Sequence, residues 1–153
     1  MKVSKYLLDA SALVNILPVV SAESLRTSGD VELYITQLTP FEVGNALWKL
    51  HIRGEIESDE ALIIMELADE LIKYGSLNMV QVGDIIEIMK LTLRRKITFY
   101  DASYIFAAKK FGFILVTDDN GLRTNAEIEK VRTMSSDKLM EAHPDIFEVK
   151  EIK

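Results

Sequence analysis

Tyr6-Leu7-Leu8-Asp9-Ala10-Ser11-Ala12-Leu13 is an apolar run that stops at an aspartate, passes through small residues and turns apolar again. It reads as a buried strand, residues 3–9, whose carboxyl end presents Asp9. A helix begins at about Ala10, and Pro18 ends it. In open parallel α/β sheets, chemistry sits in the crevice beyond the carboxyl ends of the strands. Asp9 is therefore the first candidate site residue.

Working outward, residues 20–27 read as a helical turn or a loop. Ser28-Gly29-Asp30 is a turn signal before a second strand, Val31 to Thr36. Thr39-Pro40-Phe41-Glu42 opens a helix, with threonine suited to the N-cap, proline to the first helical position and glutamate to the third. Val43, Ala46, Leu47 and Leu50 share one face of it, and Gly54 terminates it. Ser58-Asp59-Glu60 starts another helix, with an apolar stripe of Ala61, Ile64, Met65, Ala68, Leu71 and Ile72 that ends at Gly75. Asn78 to Val82 is a third strand. A helix runs from Asp84 to about Lys96, and Thr98 caps the next, which extends to Phe111-Gly112. Phe113 to Thr117 is a continuous apolar strand suited to burial on both faces. Asp118-Asp119 follows it, then a short helix and a small strand near Val131 to Met134. The alternation predicts an α/β fold: a three-layer α/β/α sandwich around a mostly parallel sheet. Residues 1–143 form one domain on this reading, and 144–153 form a tail that is a loop or a docking segment.

The chain has 153 residues, nearly half apolar and just over a quarter charged, enough for one substantial core. No apolar run approaches bilayer length, and Asp9 interrupts too early for a signal peptide, so a cytoplasmic location is expected. The absence of cysteine excludes disulfides, thiolate ligands and a cysteine nucleophile. With only His51 and His143, a histidine-rich metal site is also disfavoured. The net charge of −6 argues against a broad basic face for nucleic acid. However, Arg94-Arg95-Lys96 and Lys109-Lys110 both flank Asp101. The arginine–lysine trio suits a helix C-terminus complementing the dipole, with local substrate contact as the alternative.

Asp9, Glu42, Asp101 and the Asp118-Asp119 pair all stand at strand ends or helix starts. Each has a bland alternative as a helix-capping residue. Together they predict convergence on one divalent-metal site, because clustered carboxylates repel unless a cation compensates. Oxygen-only ligation points to Mg²⁺ or Mn²⁺. Such a site suits phosphodiester hydrolysis by activated water. Ser11 and Thr117 are candidates to orient water or a carboxylate, and Asn45, one helical turn after Glu42, to orient that carboxylate or contact a phosphate.

Four short stretches then carry a resemblance: Leu8-Asp9-Ala10-Ser11, Thr39 to Leu47, Thr98-Phe99-Tyr100-Asp101-Ala102, and Leu115-Val116-Thr117-Asp118-Asp119. In this order and spacing the chain resembles the PIN-domain ribonucleases, in particular VapC-type toxins of toxin–antitoxin pairs. The resemblance implies a five-stranded parallel sheet and a Mg²⁺- or Mn²⁺-dependent endoribonuclease. It implies Asp9, Glu42 and Asp101 as core acids, and Asp119 in preference to Asp118 as the fourth. It also implies a homodimer, an RNA substrate and a small VapB-like antitoxin. The competing readings are a catalytically silent PIN-like scaffold module and a receiver-type phosphoryl-transfer domain using Asp9.

Overall fold

The computed structural model describes residues 2–148. Its five-stranded sheet has the order β3-β2-β1-β4-β5. The strands are β1 (Ser4–Leu8), β2 (Val31–Thr36), β3 (Leu77–Val80), β4 (Ile114–Val116) and β5 (Thr133–Met134). Every neighbouring pair is parallel. The helices are α1 (Ala10–Ile16), α2 (Ala22–Thr27), α3 (Thr39–Ile52), α4 (Ser58–Lys73), α5 (Ile85–Arg95), α6 (Phe99–Phe111), α7 (Asn120–Ile128) and α8 (Ser136–Ala142).

Strand side chains alternate between faces, and the core divides accordingly. Tyr6, Leu8, Leu33 and Ile35 join one cluster with Leu13 and Ile16 of α1, Val43 and Leu47 of α3, Ala68 and Leu71 of α4, and Leu139 of α8. Leu7 and Leu115 face the other cluster, built from Ile88 and Leu91 of α5, Ile105 and Ala108 of α6, and Leu122 and Ala126 of α7. The three layers follow from this split.

The central strand β1 pairs with β2 on one side and β4 on the other. The chain first winds outward through β2 and β3, then restarts from β4. The carboxyl ends of β1 and β4 thus mark the place where strand order reverses, where a crevice opens in sheets of this kind. The β1–β4 register brings Leu8 beside Val116, so Asp9 and Thr117 leave the sheet side by side.

Four local readings are corrected. Thr39 is not the cap of α3: it lies inside the helix, and Leu38 occupies the N-cap position without a side-chain bond. Thr39 is fully buried instead, where its hydroxyl accepts from Thr36 N at 3.0 Å and bonds the Tyr104 hydroxyl at 2.9 Å. Ala46, placed on the core face by periodicity, lines a surface cavity. α8, capped by Ser135, was not foreseen because seven residues give too short a periodic signal. The boundary expected at residue 143 moves outward: Ile146 and Phe147 are buried in the first core cluster, and Val20 bridges to Phe147. The part of the expected tail from 149 to 153 lies outside the described residues.

Candidate active site

A cavity of about 790 Å³ lies at the carboxyl edge of the sheet, lined by Asp9, Glu42, Asp101 and Asp119 together with Ser11, Asn45 and Lys49. These acids come from four separate elements. Asp9 ends β1 and caps α1, Glu42 lies in the first turn of α3, Asp101 lies in the first turn of α6, and Asp119 caps α7.

Asp9 is the most enclosed, at 5% exposure. One carboxylate oxygen accepts from Ser11 Oγ at 2.7 Å and Ala12 N at 2.9 Å. The other accepts from Thr117 Oγ1 at 2.5 Å. Each hydroxyl also accepts a backbone N–H from the loop after β4. Ser11 Oγ takes Asp118 N at 3.1 Å, and Thr117 Oγ1 takes Asp119 N at 3.1 Å. The two hydroxyls therefore fasten the Asp9 carboxylate to the segment that carries the fourth acid. Asp119 in turn accepts from Leu122 N at 2.8 Å. A Cβ added at Gly121 would lie 3.2 Å from Asp119 Oδ1, so the glycine leaves this carboxylate its room.

The capping alternatives hold for three of the acids in part. Asp9 and Asp119 cap their helices, and Thr98 Oγ1 accepts from Asp101 N at 3.1 Å. Glu42 has no capping partner, and its Oε1 is buried without any hydrogen-bond partner. The protonation equilibria record the crowding. Burial, and behind it the charges of Asp9 and Asp101, pushes the Glu42 carboxyl upward, against the hydroxyl of Tyr104. Burial pushes Asp101 up as well, aided by Asp119 and Asp9. Asp9 is raised by burial, although three hydrogen bonds oppose it.

Asp118 is removed from the candidate ligands. Its carboxylate accepts from Asn15 Nδ2 at 2.7 Å, Ser136 N at 2.9 Å and Ser136 Oγ at 2.6 Å. It clasps α1 and α8 to the end of β4 and does not line the cavity. The basic trio also lies elsewhere. Arg94 and Arg95 both pair with Glu129 at the end of α7, which occupies their charges away from the cavity.

The sequence reading missed Lys49 and Tyr104. Lys49 sits seven residues after Glu42 on the same helical face, so the period of 3.6 contained the signal. Tyr104 is one turn after Asp101, and its buried hydroxyl links Thr39 to the surroundings of Glu42.

An all-carboxylate donor set with an orphaned buried oxygen fits a hard divalent cation. Among the described residues, no three Asp, Glu, His or Cys side chains stand close enough as placed to form a ready coordination shell.

The parallel sheet, its reversal point and the acid-lined crevice define an α/β domain of the PIN type. A family model described as PIN domain matches residues 6–128, and the chain belongs to that family. It is 34% identical over 118 residues to the exonuclease VapC9 of Pyrobaculum aerophilum, covering 77% of this chain and 83% of the relative. It is 34% identical over 125 residues to the ribonuclease VapC3 of the same organism, covering 77% and 92%. Among solved structures, the crystal structure of PAE2754 from Pyrobaculum aerophilum superposes with a TM-score of 0.70 at 26% identity, covering 91% of this chain and 94% of that one.

Proposed function

We propose that this chain is a Mg²⁺- or Mn²⁺-dependent endoribonuclease that acts in the cytoplasm as the toxin of a VapBC-type pair. Relatives at 34% identity that bear the names exonuclease VapC9 and ribonuclease VapC3 support the nuclease class. The observation that carries the reading is the convergence of Asp9, Glu42, Asp101 and Asp119 on one cavity from four separate elements. Capping accounts locally for Asp9 and Asp119 but gives no reason for the four acids to meet.

Asp9, Glu42, Asp101 and Asp119 are the residues that would hold the ion. Bound there, it would supply Lewis acidity to the phosphodiester and lower the pKa of water at the site. Asp9, fixed by Ser11, Thr117 and Ala12, gives the site a rigid anchor. Glu42, which lines the cavity with one buried oxygen lacking a hydrogen-bond partner, is suited to take the proton of attacking water. Lys49 places a positive charge two helical turns from Glu42, about 10 Å along α3, where it can meet a neighbouring phosphate of the chain. Water adds to phosphorus, the P–O ester bond breaks, and the departing oxygen gains a proton from solvent. Asn45, exposed on the cavity wall, completes the polar surroundings of the phosphate.

A homodimer and a small VapB-like antitoxin that covers the crevice belong to the same proposal, by the resemblance to VapC-type toxins. No helix among the described residues is long and apolar enough to cross a membrane.

The test is cleavage of a pool of single-stranded RNA labelled at either end, with Mn²⁺ or with EDTA, beside Asp9→Asn. Internal cuts that need the metal and vanish in the variant support the proposal. Cutting that ignores EDTA, or survives intact in Asp9→Asn, removes it. Release of single terminal nucleotides alone would replace "endo" by "exo". Light scattering of the purified chain checks the dimer, and release of inhibition from the co-expressed neighbouring protein checks the antitoxin.

A further inference from the structure

Two of the four acids carry an aromatic residue immediately before them. Phe41 precedes Glu42 at the start of α3, and Tyr100 precedes Asp101 at the start of α6. Both line the acid cavity, and both are exposed, Phe41 at 79% and Tyr100 at 52%. Neither belongs to either core cluster or packs against one. Phe99, one residue before Tyr100 on α6, instead packs against the second cluster, while Trp48 and Ile52 farther along α3 are exposed but do not line the cavity. Among the described residues, the rings of Phe41 and Tyr100 therefore stand at the cavity wall outside both core clusters.

An unpaired nucleobase presents a flat π-face of either sequence, and an aromatic ring beside a phosphate-handling site matches it. The charge pattern agrees, since the cavity sets one cation, Lys49, beside the acids and offers no broad basic surface. Affinity for a polyanion must then come from elsewhere, and base stacking is the source that needs no further positive charge. Stacking also resolves the tension between a net charge of −6 and a nucleic-acid substrate.

We propose that Phe41 and Tyr100 form a base-stacking platform beside the acid cluster, on which bases flanking the cleaved phosphodiester of an RNA substrate rest. The inference rests on the nuclease reading above and adds to it two residues that hold the substrate. A-form duplex keeps its bases stacked on one another and unavailable to such rings.

The test uses the full chain and a fluorescein-labelled pool of unstructured RNA oligonucleotides, with Ca²⁺ in place of Mn²⁺ so that binding is read without turnover. Phe41→Ala and Tyr100→Ala should each weaken binding about 5- to 100-fold. Phe41→Tyr and Tyr100→Phe, which keep a ring, should recover most of the loss. An RNA of the same backbone made abasic at every position should bind wild type no better than the double alanine variant. Cleavage in Mn²⁺ should show the same order in KM, with duplex RNA resistant. Alanine variants that bind and cleave RNA as wild type does would overturn the platform alone. So would abasic RNA that binds as tightly as the parent. Variants that keep RNA affinity but lose a bound protein partner would reassign the rings to that partner and overturn the platform too. A wild type that cuts no RNA pool in Mn²⁺ would overturn the nuclease reading itself and the platform with it.

Discussion

Thr117→Val isolates the hydroxyl that joins Asp9 to Asp119. Thr117 is fully buried at the end of β4, and valine fills the same space, so no cavity forms. Two bonds are lost: the donation to Asp9 Oδ2 and the acceptance from Asp119 N at 3.1 Å. A hydrogen bond to a charged group contributes about 1.5–3 kcal/mol, and an unpaired buried N–H costs about 1–3 kcal/mol. Part of the second loss is recovered, since the Asp119 segment lies near solvent. We expect a net loss of about 2–4 kcal/mol, a fall in Tm of roughly 5–15 °C for a chain of this size. Function should suffer more specifically. Groups that orient a metal ligand typically change affinity or activity by about 10- to 100-fold. The Mn²⁺ concentration for half-maximal cleavage should rise by that factor, while Thr117→Ser, which keeps the hydroxyl, should stay near wild type. Ser11→Ala acts on the other oxygen of the same carboxylate, so the two variants should couple and not add. Thermal melts and Mn²⁺ titrations of wild type, the three single variants and the Ser11→Ala/Thr117→Val double variant check this. A Thr117→Val protein with wild-type Mn²⁺ dependence would refute the claim that this hydroxyl holds Asp9 in place, whatever its Tm.

Asp118→Asn should lower stability by about 1–3 kcal/mol, because three donors meet that carboxylate, yet leave Mn²⁺ dependence intact, whereas Asp119→Asn should abolish metal-dependent cleavage. Denaturant melts and cleavage assays separate the two. Saturating Mn²⁺ at about 100 times its Kd should stabilise the chain by about 2.7 kcal/mol, read as a Tm rise of several degrees that Glu42→Gln reduces. In EDTA, stability should increase as pH falls toward the ordinary carboxylate range. Asp9, Glu42 and Asp101 have raised folded-state pKa values, so the native state holds protons that the unfolded chain has released. Glu129, held below its ordinary range by Arg94 and Arg95, acts in the opposite sense: its contribution is present above the unfolded pKa and is lost as pH falls through the folded one. Phe147→Ala should cost about 3–5 kcal/mol in chemical denaturation, because Phe147 is 2% exposed within the first core cluster.

The strands were legible because β1 and β4 are apolar runs ended by a turn or an acid, and the parallel character of the sheet follows from their alternation with helices. The helix starts at Thr98 and Ser58 were legible for the same local reason, since the caps lie within a few residues of what they cap. Thr39 misled because its residue type and the following proline match a cap, while its actual partner, Tyr104, is 65 residues away. Asp118 and Asp119 could not be told apart by local chemistry either. What separates them is Ser136, supplied by α8, a helix with too few residues to announce itself. Lys49 was readable from helical period but had no motif to draw attention to it. Tail residues Ile146 and Phe147 looked peripheral because burial against Val20 is a property of the closed fold and not of their neighbours in sequence.

Capping and site formation are one arrangement in this molecule and not rival explanations. Asp9 and Asp119 each accept a backbone N–H three residues on, which satisfies an orphan donor of α1 and α7. The same geometry aims both helix N-termini toward the sheet's carboxyl edge, where their dipoles favour negative charge. Glu42 and Asp101 enter from first turns of α3 and α6, so every acid in the cavity sits at a helix start. Helix starts can therefore gather carboxylates that would otherwise repel, but only partly, since Glu42, Asp101 and Asp9 remain raised. A fold selected only for stability would replace Glu42, whose Oε1 finds no partner, by glutamine or an apolar residue. That residual cost, at an acid with no capping role, is what the proposed nuclease reading accounts for and capping does not.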